Sequence, residues 1–136
     1  MKILIIDGQG GGMGRQLVEN IKKSFPTVEL TAVGTNALAT QAMLKAGADH
    51  AATGENAVVV GCRTADLIIG PVGIVIADSL WGEITPAMAT AVGQSLAARI
   101  LLPMNQCNNI IVGIEDVSAS KLIQNCLEEI QKHVTK

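Results

Sequence analysis

The first fourteen residues, MKILIIDGQGGGMG, constrain the fold of this chain more than any other segment. Four consecutive aliphatic residues, Ile3 to Ile6, predict a strand that is buried on both faces. The loop that follows, Gly8 to Gly14, contains five glycines in seven residues, and apolar side chains at helical spacing begin directly after it. A strand, a glycine turn and a helix N-terminus in this order can hold a phosphate.

Strand and helix signals alternate along the whole sequence, which predicts an α/β fold with a mainly parallel sheet. We expect a single Rossmann-like, three-layer domain over residues 1–136, with five or six strands. The predicted strands are Lys2–Ile6, Val28–Val33, His50–Ala52, Asp66–Ile69, Ile100–Leu102 and Ile110–Ile114. The predicted helices are Gly12–Ser24, Ala37–Ala46, a weaker stretch that ends at Cys62, Pro86–Ala98 and Ser118–Val134. Residues 72–82 fit either a strand or a buried helix.

Composition and charge exclude several classes of protein. The net charge is −2 and the chain has one Phe, one Trp and no Tyr, so it lacks the basic surface and the aromatic platform that nucleic-acid binding requires. The apolar run before Asp7 is too short for a signal peptide, and the apolar stretch 67–81 is too short for a membrane span. We therefore expect a cytoplasmic protein with no membrane contact. The three cysteines are Cys62, Cys107 and Cys126, and we expect them to be reduced. Their spacing is not that of a zinc site, and we predict no metal site.

The glycine loop is the predicted ligand site. The dinucleotide pattern G-x-G-x-x-G does not fit, because its third glycine would fall at Met13. The spacing Gly8-x-x-x-Gly12-x-Gly14 does fit, and short-chain dehydrogenases use it. A Walker lysine is absent, which argues against a P-loop NTPase. The alternative is a tight turn without a ligand. The predicted cofactor-binding residues are Gly8, Gly10, Gly11, Gly12, Met13, Gly14, Thr35, Asn36 and Gly70.

Two features weaken the interpretation as an NAD site. The second predicted strand ends in Gly34-Thr35-Asn36, where dinucleotide-binding folds carry an acidic residue for the ribose. Asp7 also occupies the place where an anion would lie. Its carboxylate either faces the ligand or accepts hydrogen bonds from the loop's own N–H groups. The ligand classes that remain open are NAD, NADP, a mononucleotide and a sugar phosphate.

The sequence contains few residues in patterns typical of catalytic sites. Short-chain dehydrogenases use a Tyr–Lys pair and this chain has no tyrosine, so the likeness is restricted to the loop. The candidate acids or bases are Asp7, Asp78 and Glu55. Asp78 lies in an apolar region beside Trp81, a setting in which a carboxylate could act as an acid or base. Glu83 and Thr85 are interpreted as caps of the helix that begins at Pro86. The other polar residues that follow strands are Thr53, Asn56, Ser79, Asn105 and Gln106.

Several stretches in combination resemble a family of small bacterial proteins that is catalogued as a domain of unknown function. They are Ile6–Gly14, Gly34–Thr40, Lys45–Ala48, Ala52–Ala57 and Gly82–Pro86. The resemblance covers the chain nearly end to end, and it implies no activity and no catalytic residue.

Three hypotheses for the function follow. The first is a module that binds a nucleotide or a phosphorylated ligand at Gly8–Gly14. The second is a small enzyme that acts on a related substrate, with Asp7, Asp78 or Glu55 as acid or base. The third is a structural or assembly protein whose glycines serve close packing. We also expect a homodimer or a larger homo-oligomer, with Ile74–Trp81 as its surface if that segment is exposed.

Overall fold

The computed structural model describes residues 1–104 and 108–134. Its strands are β1 (Lys2–Asp7), β2 (Glu29–Gly34), β3 (His50–Thr53), β4 (Leu67–Pro71) and β5 (Ala98–Leu102). Its helices are α1 (Gly12–Ser24), α2 (Ala37–Lys45), α3 (Glu55–Thr64), α4 (Pro86–Gln94) and α5 (Ala119–Val134).

The strands form one parallel sheet in the order β3-β2-β1-β4-β5, which confirms the predicted α/β fold. β1 is the central strand of the sheet and β4 lies beside it, and the aliphatic side chains of both alternate between two hydrophobic cores. The cores cover opposite faces of the sheet, one formed with α1, α2 and α5 and the other with α3 and α4. The chain reverses its winding direction between β1 and β4. Ligands of such folds bind at this switch point, outside the carboxyl ends of the strands.

One predicted strand and one predicted helix boundary are wrong. Residues 110–114 do not form a sixth strand, and Ile110 and Val112 are 90% and 92% exposed. A run of β-branched residues indicates β propensity, but a strand also needs a partner, and the described structure pairs none with this segment. Helix α4 ends at Gln94 rather than Ala98 because Ala98 already pairs in β5. The predictions for Asn105, Gln106 and Cys107 lie outside the described residues.

Residues 72–82 are neither a strand nor a long helix. Val72–Val75 forms one turn of 3-10 helix, and tight turns follow with positive φ at Asp78, Leu80, Trp81 and Gly82. Ile74 and Leu80 are each only 1% exposed. Ile74–Trp81, which was expected to form a dimer surface, therefore packs largely into the core of the monomer, although Trp81 at its end is 95% exposed.

The two described cysteines are free and buried in the two cores. Burial raises the pKa of the Cys62 thiol to about 11. Burial, together with the nearby Glu129 carboxylate, raises the pKa of the Cys126 thiol to about 12. Within residues 1–104 and 108–134, none of the helices has both the length and the apolar character that crossing a bilayer demands.

Candidate functional site

Asp7 is the last residue of β1, and its side chain holds the glycine loop by hydrogen bonds. The residue is only 3% exposed. Its Oδ1 accepts a hydrogen bond from the Gly8 N–H at 2.8 Å, and its Oδ2 accepts one from the Gly14 N–H at 2.6 Å. Of the two arrangements expected for this carboxylate, the structure has the one in which it binds the loop's own N–H groups. Burial raises the pKa of the Asp7 carboxyl, and the two hydrogen bonds oppose this rise only in part.

The glycines of the loop fall into two sets. A Cβ on Gly14 would lie 2.5 Å from the Met43 Sδ, and one on Gly8 would lie 2.5 Å from the Thr35 Oγ1. Gly11 has a φ of +72°, and its Cβ would lie 2.7 Å from the Ala39 Cα. These three glycines are therefore required by packing or by backbone conformation.

The other two glycines of the loop face open space. A Cβ on Gly10 or on Gly12 would meet no atom within 4 Å. In the described part of the chain, the backbone N–H groups of Gly10, Gly12 and Met13 donate no hydrogen bond. Gly12 and Met13 are the first two residues of α1, where the helix dipole adds partial positive charge. The Met13 side chain is buried in the core, so this residue offers the site only its N–H.

Arg15 lies in the first turn of α1, one residue beyond the loop. Its side chain is about half exposed, and its guanidinium lies 3.5 Å from the Glu19 carboxylate. An exposed ion pair of this kind contributes little to stability, so breaking it would cost little.

Glu83 connects the ends of two strands, and its position was not predicted. It comes from the turns between β4 and α4, and its Oε1 accepts three hydrogen bonds from the two facing loops. The donors are the Gln9 N–H at 2.9 Å, the Thr35 hydroxyl at 2.5 Å and the Asn36 side-chain amide at 2.8 Å. In the described structure its other oxygen, Oε2, accepts no hydrogen bond. Partial burial acts to raise the pKa of the Glu83 carboxyl, but these hydrogen bonds together lower it.

The remaining predicted site residues occupy different places. The Asn36 Oδ1 caps α2 by accepting the Ala39 N–H at 2.9 Å. The Glu55 carboxylate accepts a hydrogen bond from the Thr85 hydroxyl at 2.6 Å. Asp78 is exposed, so the apolar surroundings expected for it are not present. Gly70 lies inside β4, packed against the Ile6 carbonyl of β1. The structure therefore brings Thr35 and Asn36 to the glycine loop, and it places Gly70 within the sheet.

Thr85 is the cap of α4, as expected, but Glu83 is not. The Thr85 Oγ1 accepts the Met88 N–H at 3.2 Å. The signal that could have located Glu83 is topological, because the loops after two neighbouring parallel strands, here β1 and β4, lie side by side at the same edge of the sheet. An acidic residue in the second of these loops can replace the one that is missing from the end of β2.

The lowered pKa of Glu83 predicts a specific acid sensitivity. Its folded pKa lies below the ordinary value of 4.5, so its stabilising contribution is complete above that pH and is lost as the pH falls through the folded pKa. We expect the free energy of unfolding to fall less steeply on acidification in the Glu83→Gln protein than in the wild type. Urea unfolding at neutral pH and at several pH values below 4.5 measures this difference. Parallel pH profiles of the two proteins would contradict it.

Several clefts of the described chain lie away from the glycine loop, and two of them are large. A groove of about 670 Å³ runs between α3 and α4 and is lined mainly by small apolar residues such as Ala87 and Ala91. A second cleft of about 520 Å³ lies between β5, residues 113–117 and α5. In the described residues, no group of three or more His, Cys, Asp or Glu side chains is arranged to hold a metal ion.

Comparison with known proteins gives a family but no activity. Among solved structures, a dodecameric FMN-dependent UbiX-like decarboxylase from Escherichia coli O157:H7 is similar at 15% identity and a TM-score of 0.47. The alignment covers 96% of this chain and 95% of that one. Among curated proteins, no sequence matches the chain. Residues 2–135 match the family described as a domain of unknown function, DUF3842, and the chain belongs to that family.

Proposed function

We propose that this protein binds a nucleotide whose phosphate accepts hydrogen bonds from the backbone N–H groups of Gly10, Gly12 and Met13. The observation that carries the proposal is the division of the glycines into two sets. Three are required by the fold, whereas Gly10 and Gly12 leave open space beside unpaired N–H groups at a helix N-terminus. A tight turn without a ligand would not need glycine at either of these two positions.

Arg15 adds a cation at the same end of α1. Its side chain is exposed, and its present partner Glu19 lies on the next turn of the helix. A phosphate at the helix start would compete with the Glu19 carboxylate for this guanidinium, and an arginine fork matches phosphate oxygens well. We therefore assign Arg15 as a supporting phosphate ligand, secondary to the backbone N–H groups.

Glu83 restricts the proposed ligand to one that carries hydroxyl groups beside its phosphate. The Glu83 carboxylate is held at the end of β2 by Gln9, Thr35 and Asn36, and its Oε2 has no donor in the described structure. In dinucleotide-binding folds a carboxylate at this place accepts hydrogen bonds from the ribose. We propose the same role for Glu83, which reaches the place from a different loop.

The two carboxylates also set a preference among the ligand classes. Asp7 lies under the loop and Glu83 lies at its edge, so a second phosphate placed near the sugar would be repelled. We expect NAD or a mononucleotide with free ribose hydroxyls to bind more tightly than NADP, and more tightly than inorganic phosphate alone. We assign no reaction to Asp7, because both of its oxygens are engaged with backbone N–H groups.

A thermal-shift comparison of the wild type and two variants tests the proposal. The compounds are AMP, NAD, NADP, FMN, ribose 5-phosphate and inorganic phosphate. A ligand at a hundred times its Kd adds about 2.7 kcal/mol of stability, which for this chain length corresponds to a shift on the order of 5–10 °C. We expect Gly12→Val to abolish the shift, because the new side chain would fill the open space beside the N–H groups.

The matched control is Gly93→Val, since Gly93 is also an exposed helical glycine whose Cβ would meet no atom within 4 Å. This variant should keep the full shift. The absence of a shift for every compound in the wild type, or an equal shift in Gly12→Val, would contradict the proposed site.

A further inference from the structure

The Ile110–Ile114 segment exposes apolar side chains that the monomer does not cover. Ile110 and Val112 are 90% and 92% exposed, and Ile114 is 48% exposed. Alternate residues of an extended chain lie on the same face, so these three side chains would form one apolar stripe. The sequence has the pattern of a strand here, but the described structure leaves the segment without a partner strand.

We propose that the Ile110–Ile114 segment pairs with the same segment of a second copy of this chain, as antiparallel strands about a two-fold axis at Val112. The sequence around Val112 is self-complementary in this register. Ile110 of one copy would lie opposite Ile114 of the other, and the two Val112 side chains would face each other. A two-fold interface requires a surface that matches itself in this way.

The charges that flank the segment favour the antiparallel arrangement. Glu115 and Asp116 follow the segment, and Asn108 and Asn109 precede it. Parallel, in-register pairing would place each carboxylate opposite its own copy, which is destabilising. Antiparallel pairing about Val112 places Glu115 opposite Asn109 and Asp116 opposite Asn108, so that no carboxylate lies opposite another carboxylate.

Pairing requires the segment to straighten, because Val112 and Gly113 form a turn in the structure, and the local backbone permits this change. The segment bends at Gly113, whose φ is +87°, and glycine reaches the extended region without a steric penalty. The cleft of about 520 Å³ that Gly113 and Ile114 border offers the partner's apolar side chains a place to pack. One short strand pair with this cleft lies at the small end of protein interfaces, so we infer a weak dimer that forms in the micromolar range or above.

Sedimentation velocity of the intact protein, from low to high micromolar concentration, tests the pairing. We expect the wild type to shift from monomer to dimer as the concentration rises. Val112→Lys should remain monomeric, because the two-fold axis would place two ammonium groups face to face. The matched control is Leu96→Lys, since Leu96 is fully exposed but lies outside the segment. This variant should dimerise like the wild type, and circular dichroism verifies that both variants are folded.

A third variant, Asn109→Glu, tests the register. It would place two carboxylates opposite each other in the antiparallel pair, and we expect it to weaken the dimer by roughly tenfold, about 1.4 kcal/mol. The proposal is overturned if the wild type stays monomeric at every concentration or if Val112→Lys dimerises normally. Loss of the dimer in Leu96→Lys, or an unchanged dimer in Asn109→Glu, would also overturn it.

Discussion

The Gly70→Ala protein should be less stable than the wild type by about 3 kcal/mol, at the upper end of the usual cost of overpacking. A Cβ on Gly70 would overlap the Ile6 carbonyl oxygen of β1 and would lie 3.0 Å from the Ile74 Cδ1. The carbonyl is backbone within the central strand pair of the sheet, so it cannot move without weakening the pairing of β1 with β4. Thermal unfolding should show a decrease in Tm on the order of 10 °C.

The matched control for this substitution is Gly93→Ala. Gly93 lies in α4, and its Cβ would meet no atom within 4 Å. Replacing a helical glycine with alanine removes backbone entropy from the unfolded chain, so we expect a gain of about 0.5–1 kcal/mol. The two variants should therefore change the Tm in opposite directions. A Gly70→Ala protein as stable as the wild type would contradict the close approach of β1 and β4 at this position.

The Asp7→Ala protein should also lose on the order of 3 kcal/mol of stability. The substitution removes the acceptor of two backbone N–H groups at the base of the glycine loop, and each buried donor left unpaired costs about 1–3 kcal/mol. Relief of the buried charge offsets part of this loss. Because the loop would no longer be held in shape, we also expect nucleotide binding to be lost.

The cost of Asp7→Ala should depend on pH in a defined direction. The folded pKa of Asp7 is raised above its ordinary value of 3.8, so the folded state holds this proton more tightly than the unfolded chain does. The contribution of Asp7 to stability is therefore complete below 3.8 and decreases as the pH rises through the folded pKa. Urea unfolding of both proteins from acid to neutral pH should show a smaller difference at neutral pH.

Glu128→Ala is the control for removing a carboxylate. Glu128 is exposed on α5, and we expect its loss to change stability by no more than about 0.5 kcal/mol. An Asp7→Ala protein that behaves like Glu128→Ala would mean that the carboxylate does not hold the loop.

The sequence predicted the elements whose signals are local. The aliphatic run of β1, the glycine loop and the amphipathic α1 were each expected from adjacent residues, and the structure has them with nearly the same bounds. The cap at Thr85, the proline that follows it and the start of α4 were predicted in the same way. These features depend on backbone conformation and periodicity, which a few neighbouring residues determine.

The features that were missed depend on contacts between distant parts of the chain. Glu83 accepts a hydrogen bond from Gln9, which is 74 residues away in the sequence. Glu83 is positioned by a series of turns with positive φ, and such turns have no hydrophobic periodicity that a sequence could show. The role of Gly70 depends on the approach of β1, which the local sequence of β4 does not reveal. Ile110–Ile114 has the composition of a strand, but whether it pairs depends on a partner outside its own sequence.

The most direct test of the proposed nucleotide site is an NMR titration of ¹⁵N-labelled protein with AMP or NAD, in which the chemical shifts of the backbone amides are monitored. We predict that the largest shifts occur at Gly10, Gly12 and Met13, because their N–H groups donate to the phosphate. The amide of Gly93, which lies in α4, should not move. Shifts confined to residues that line the groove between α3 and α4, such as Ala87 and Ala91, or no shifts at saturating nucleotide, would contradict the proposed nucleotide site.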